Sequence, residues 1–200
     1  MQWDTDVTGL AGITLAAFTL LLRQPRVQAL PPLQRAGGML GALIVLSVPL
    51  WGLSLTGLLR GFTGDLSMMT LLLLVLRVAQ TVSGCALVRN ENREQALKAI
   101  AIAGALFYPF ALGFSPFDPY RLGFGSLWLM LPLLGFAAWA ALRQSILLAL
   151  GIALAVAAWS IGWYESPNLW DYLLDPWLVI YAIGAQAKRW WQQRKETAHV

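Results

Sequence analysis

Charge is what this chain has little of. Only 12% of its 200 residues are Asp, Glu, Lys or Arg, against roughly 25% in an ordinary soluble domain. So few polar side chains do not cover a water-soluble globule of this size. Cysteine and histidine are scarcer still, with Cys85 and His199 each occurring once. A lone cysteine excludes an intramolecular disulfide and a cysteine-based zinc or redox pair. A lone histidine in the tail excludes bis-His haem, Ser-His catalysis and His-based metal sites. Lysine is absent from the middle of every long apolar stretch, which excludes a retinal-type Schiff base, and there is no glycine-rich phosphate loop. The sequence therefore implies no cofactor and no metal. Its first residues, Met1-Gln2-Trp3-Asp4-Thr5-Asp6, are acidic. A secretory signal needs a positive start, so the first apolar stretch is expected to be retained.

What the chain has in quantity is apolar sequence: 58% hydrophobic residues and a mean hydropathy of +0.62. The runs are continuous, without the alternation of a lipid-facing strand, and in lipid the backbone must pair within the fold. The expectation is an all-α, polytopic transmembrane helical bundle forming one integral membrane domain over residues 1–200. Seven stretches fit as spans: Val7–Leu22, Met39–Leu59, Ser67–Val88, Leu97–Phe114, Ser126–Leu142, Ser145–Trp163 and Leu169–Ala187. A span needs about 20 apolar residues, which the second and third supply easily. Asp171, Asp175 and Pro176 interrupt the seventh, leaving six spans plus an interfacial helix as the alternative. Pro49, Pro109 and Pro132 fall inside spans and are expected to bend them.

Loop charge predicts orientation. Arg23, Arg26 and Arg35 follow the first stretch, Arg89, Arg93 and Lys98 the third, Arg143 the fifth, and Lys188, Arg189, Arg194 and Lys195 the seventh. The other set of loops holds Asp65, Asp118, Glu165, Asp171 and Asp175, with only Arg60 and Arg121. Under the positive-inside rule this is N-out and C-in, with a basic cytoplasmic tail at 188–200, in a bacterial inner membrane or equivalent. The run Lys188-Arg189-Trp190-Trp191-Gln192-Gln193-Arg194-Lys195 reads as an anchor to anionic lipid. The lipid bilayer is the first expected partner and other membrane subunits the second. The basic residues sit at boundaries, so no nucleic acid is expected.

Chemistry-bearing residues are few. Arg77 lies mid-way along the third stretch, where a charge costs about 3 kcal/mol on insertion scales. Gln80, Thr81 and Gly84 follow it on one helical stripe, with Thr70 seven residues before it. Asp171 and Asp175 are four apart, with Asn168 three before the first, so a helix places them on one face. Asp175 precedes Pro176 and equally reads as a helix cap. Asp118 and Arg121, three apart in a loop, are a further pair. A ligand site is thus expected at Arg77, Gln80, Thr81, Asp118, Arg121, Asp171 and Asp175, with an anion, ion or zwitterion bridging Arg77 and Asp175. The pattern Asn168-x-x-Asp171-x-x-x-Asp175 superficially resembles the aspartate-rich motif of membrane prenyltransferases. It lacks that family's second aspartate-rich segment and lies on the outer side, so no role is carried over.

Three functions compete: a permease or ligand-binding bundle, a structural or assembly subunit of a larger membrane complex, and a metal-dependent lipid-modifying enzyme. An open cavity at Arg77 favours the first, and sealing by packing favours the second.

Overall fold

A computed structural model describes residues 3–22, 24–50 and 53–197. Helix dominates. The order is α1 (Trp3–Leu21), α2 (Pro25–Gln28), α3 (Pro32–Ser47), a two-residue antiparallel pairing of Pro49–Leu50 with Leu53–Ser54, α4 (Leu55–Thr63), α5 (Met68–Ser83) and α6 (Asn90–Ala111). A 3-10 turn at Pro119–Gly123, α7 (Leu127–Leu142), α8 (Ile146–Ser160), α9 (Leu169–Leu173) and α10 (Pro176–Thr197) follow.

The all-helical expectation holds but the membrane-spanning one does not. No helix among the described residues is long and apolar enough to cross a membrane. Length and apolarity do not coincide along a whole helix: 19-residue α1 carries Asp4 and Asp6 in its first turn, and elsewhere the two fall on different helices. The apolar helices α7 and α8 have 16 and 15 residues, about 24 Å at 1.5 Å per residue, short of a hydrocarbon core of about 30 Å. The 22-residue helices α6 and α10 carry charged turns, with Glu91, Arg93, Glu94 and Lys98 on one and Lys188, Arg189, Arg194 and Lys195 on the other. The seven-span N-out/C-in bundle, the transmembrane and inner-membrane placement, and the transport role built on them are corrected accordingly.

The second and seventh stretches fail as continuous helices for local reasons. Helix α3 ends at Ser47, and Pro49, expected inside a helix, opens the short strand pairing. The seventh stretch divides at Leu174, whose backbone is extended (φ −137°, ψ 140°), before Pro176 starts α10. Pro109 and Pro132 do lie inside helices, α6 and α7.

Packing forms two groups of helices. In the C-terminal half α6 runs against α10, α7 against α8, and α8 against α9, α6 and α5. Its core includes Leu97, Ile100, Leu148, Ile152, Tyr172 and Val179. In the N-terminal half α1 meets α3, α4 and α5 around a smaller cluster of Phe18, Leu22 and Val78. Helix α5 belongs to both, with Met69 in the larger core and Val78 in the smaller.

Candidate functional site

The predicted residues fall into two separate places. Asp171 and Asp175 lie in a buried polar knot where α5, α9, α10, the 3-10 turn before α7 and the loop after α8 meet. Arg77, Gln80 and Thr81 lie in an open recess toward the other end of α5.

The knot is built from helix starts. Ser67 caps α5, its Oγ accepting from the Thr70 amide at 3.2 Å. Asp175 caps α10, its Oδ1 accepting from the Leu178 amide at 2.8 Å, and Pro176 supplies the pre-set φ of a first helical position. The second oxygen of Asp175 accepts from the Ser67 amide at 3.0 Å, from the Ser67 hydroxyl at 2.8 Å, and from the Thr70 hydroxyl. One carboxylate thus ties two helix starts together. It is 3% exposed and its acceptors are occupied.

Tyrosines extend the network. The Tyr164 hydroxyl donates to the Leu66 carbonyl at 2.7 Å. The Tyr172 hydroxyl accepts from the Tyr164 amide at 2.9 Å and lies 3.1 Å from the carbonyls of Tyr164 and Ser166. Asp171 accepts from the Tyr120 hydroxyl at 2.9 Å and from the Ser166 hydroxyl at 2.5 Å. Asn168 caps α9 and donates to the Tyr120 carbonyl at 2.9 Å. Burial, then the charges of Asp175 and Asp171, pushes the Tyr108 hydroxyl above its ordinary range. Burial, then Asp65, does the same for Tyr164. Burial, then the bond to Asp171, raises Tyr120. Tyr164 and Tyr120 stay protonated and act as hydrogen-bond donors. Asp118 caps the 3-10 turn through the Tyr120 amide at 2.9 Å. Arg121 is exposed and makes no ion pair with Asp118, so that pair does not form.

The recess has a volume of about 350 Å³ and is lined by Gln28, Arg35, Arg77, Gln80, Thr81 and Gly84. Arg35 is its strut. Its Nε donates to the Leu30 carbonyl at 2.7 Å, Nη1 to the Thr81 carbonyl at 2.9 Å, and Nη2 to the Gln28 carbonyl at 2.5 Å. The turn from α2 to α3 is thereby fixed to the last turn of α5. Gly84 closes α5 in the left-handed region at φ 71°, its amide bonded to the Gln80 carbonyl. Oriented to satisfy its neighbours, the Gln80 side chain accepts from the amides of Leu87 and Val88 at 3.2 and 3.1 Å. Its NH2 is then left as a donor. Arg77 is exposed, and no carboxylate of the described residues pairs with its guanidinium. The end of α5 contributes a partial charge of about −0.5, which favours both cations but cannot neutralise two. Asp175 is bonded at the opposite end of α5, so the predicted bridge from Arg77 to Asp175 is not formed.

Sequence reasoning missed Gln28 and Arg35 in the recess and Ser67, Tyr120, Tyr164 and Tyr172 in the knot, and Thr70, placed on the Arg77 stripe, bonds Asp175 instead. Ser67 was findable, since a serine immediately before an apolar helical run is a cap signal. The tyrosines pair across long separations and leave no local sign. Among the described residues, no group of three or more His, Cys, Asp or Glu side chains could hold a metal ion. His199 lies outside the described residues. Compared with family models, with curated proteins and with solved structures, the chain finds no match.

Proposed function

We propose that the chain is a ligand-binding helical bundle that takes a small anion in the Arg35–Arg77 recess. The observation that carries this reading is the convergence of two guanidiniums on one recess that has no carboxylate in its lining. Arg35 spends three donors on carbonyls and holds its charge in place. Arg77 keeps its donors for a ligand, and a guanidinium matches a carboxylate or phosphate with two parallel bonds. Gln80 adds a neutral donor beside them. The test is calorimetric titration with acetate, inorganic phosphate and a neutral amide of similar size. One of the anions binds and the amide does not, and Arg77→Gln lowers the affinity by about tenfold or more, the weight of one charge-assisted bond. Equal response to the anions and the amide, or an unchanged affinity in Arg77→Gln, overturns the reading.

A second reading is favoured by a different observation. The accessible surface is 12864 Å², more than a third above the roughly 9,300 Å² of a compact monomer of this mass. Large apolar side chains stand on it, among them Leu33 at 83%, Phe62 at 78%, Trp128 at 85% and Leu142 at 83% exposed. Apolar surface on this scale marks an interaction site, as in a subunit of a larger assembly. Mass determination of the chain recovered under native conditions separates the two readings. A monomer that binds the anion supports the first, and a stoichiometric complex with no anion response supports the second.

A further inference from the structure

The last three turns of α10 form a surface of a different kind. Two contacts hold α10 on α6: Arg189 pairs with Glu94 at 2.7 Å, and Arg93 donates to the Tyr181 hydroxyl at 2.8 Å. Buried Leu178, Val179 and Ala182, with Arg189 two turns beyond Ala182, mark the inner side of the helix. At 100° per residue, Lys188, Trp191, Gln192 and Lys195 fall within one arc of about 100°, Arg194 lies next to it, and Trp190 lies between Arg194 and Arg189. The first four and Arg194 are exposed, and Trp190 is half-exposed. The first four, with Ala187, line an open hollow of about 510 Å³. Each indole carries a cation four residues on. Arg194 sits 3.9 Å above the Trp190 ring and Lys195 sits 5.5 Å from that of Trp191. The hollow has no carboxylate in its lining.

We infer that this outer face of α10 docks on an anionic lipid surface, lying on it without crossing it. The chemistry favours lipid over an acidic peptide. An acidic peptide needs a groove with walls that shape its backbone, and this open hollow is lined by α10 alone. An anionic headgroup layer needs a basic face with indoles, because an indole ring has an apolar body and one N–H donor and settles where water meets hydrocarbon. Stacking on the indoles holds Arg194 and Lys195 at the level the rings occupy, so insertion of a ring brings its cation among the headgroups. Charge and ring act in one motion.

The test is flotation of the full-length chain with vesicles of neutral phosphatidylcholine alone and with vesicles in which roughly a third of it is replaced by phosphatidylserine. Each basic residue near an anionic surface contributes about fivefold. The triple variant Lys188→Glu, Arg194→Glu, Lys195→Glu removes three such contributions and adds three repelling charges, so it loses at least on the order of a hundredfold in binding to the anionic vesicles. Trp190→Ala with Trp191→Ala weakens binding to both vesicle types, since the ring contact does not depend on headgroup charge. The two tryptophans are at least half exposed and the three cations are exposed, so the helical circular dichroism of both variants stays that of the parent. Equal flotation with neutral and anionic vesicles overturns the proposal, as does wild-type binding by the triple variant. Complete competition by a soluble acidic polypeptide, with the tryptophan variant unaffected, also overturns it and points to the peptide instead. The recess at Arg77 lies elsewhere, so its anion binding survives either α10 variant.

Discussion

The two halves of the molecule solve the same problem with different means. From α6 onward, buried apolar residues and a saturated polar knot hold the helices. Asp175, Ser67 and Thr70 weld α5 to α10, and Tyr164, Tyr172 and Tyr120 close the loops around them. In the N-terminal half the core is the small cluster of Phe18, Leu22 and Val78, and α3 leaves Leu33, Leu40 and Ile44 exposed. There Arg35 joins the α2–α3 turn to α5 through backbone carbonyls, and Arg60 of α4 pairs with Asp65 ahead of α5 at 2.7 Å. Buried hydrogen bonds are costly to leave unmade, so the C-terminal half is specified tightly and the N-terminal half loosely. An open recess is found where packing is thin.

The largest effect should come from breaking the weld. Asp175→Ala strands the Ser67 amide and hydroxyl, the Thr70 hydroxyl and the Leu178 amide in a buried site. Each buried donor left unpaired costs about 1–3 kcal/mol, so the loss should be on the order of 3 kcal/mol or more. Denaturant unfolding should show that loss, whereas Asp118→Ala, which removes one cap bond, should cost about 1 kcal/mol. Equal losses from the two would show that the knot is not special.

Glycines sharpen the contrast. A Cβ on Gly104 of α6 would sit 2.3 Å from Cγ1 of Val179 on α10, whereas one on Gly38 of α3 meets nothing within 4 Å. Gly104→Ala should therefore destabilise by about 1–3 kcal/mol through overpacking. Gly38→Ala should stabilise by about 0.5–1 kcal/mol, because alanine loses less backbone freedom in a helix. Thermal unfolding of the two variants checks both signs.

The knot also has a pH signature. Tyr164 is raised above its ordinary 10 by burial and then by Asp65. Above pH 10 the unfolded chain gives up this proton while the folded chain keeps it. The unfolded state then binds fewer protons, so stability falls as pH rises. The contribution is complete below pH 10 and is lost progressively toward the folded-state value. Tyr164→Phe should flatten that alkaline decline in a stability–pH series, and an unchanged slope would assign the decline to another group.

How much of this was legible follows from particular residues. Continuous apolar runs announced helices, and α7 and α8 lie within a few residues of the stretches predicted for them. Their number of residues did not announce what the helices do. Composition summed over the chain hid the fact that the charged turns fall on the longest helices, α6 and α10. The cap at Asp175 was readable from Pro176 behind it. Its bond to Ser67, 108 positions away, was not, because nothing local encodes which helix starts will meet. Arg77 was singled out for its position in an apolar run. Its neighbour Arg35 looked like one more loop charge, because a guanidinium that bonds only carbonyls has no acidic partner to reveal it.

The smallest expected effect is the most informative about Arg77. Its guanidinium is exposed and has no carboxylate partner among the described residues, so Arg77→Ala should change stability by less than about 0.5 kcal/mol. A coupling between Arg77 and Asp175 would require the two side chains to share a partner. Asp175 bonds the first turn of α5 at Ser67 and Thr70. Arg77 stands seven residues beyond Thr70, about 10 Å along the helix axis at 1.5 Å per residue. Sites that far apart without common partners add to within about 0.3–0.5 kcal/mol. The double variant Arg77→Ala, Asp175→Ala should therefore lose the sum of the two single losses. A coupling above about 1 kcal/mol would mean that α5 transmits the state of the knot to the recess, and the two halves would then act as one unit. Repeating the cycle with a bound anion in the recess extends the test, because a ligand held by Arg77 but remote from Asp175 should leave the coupling at zero.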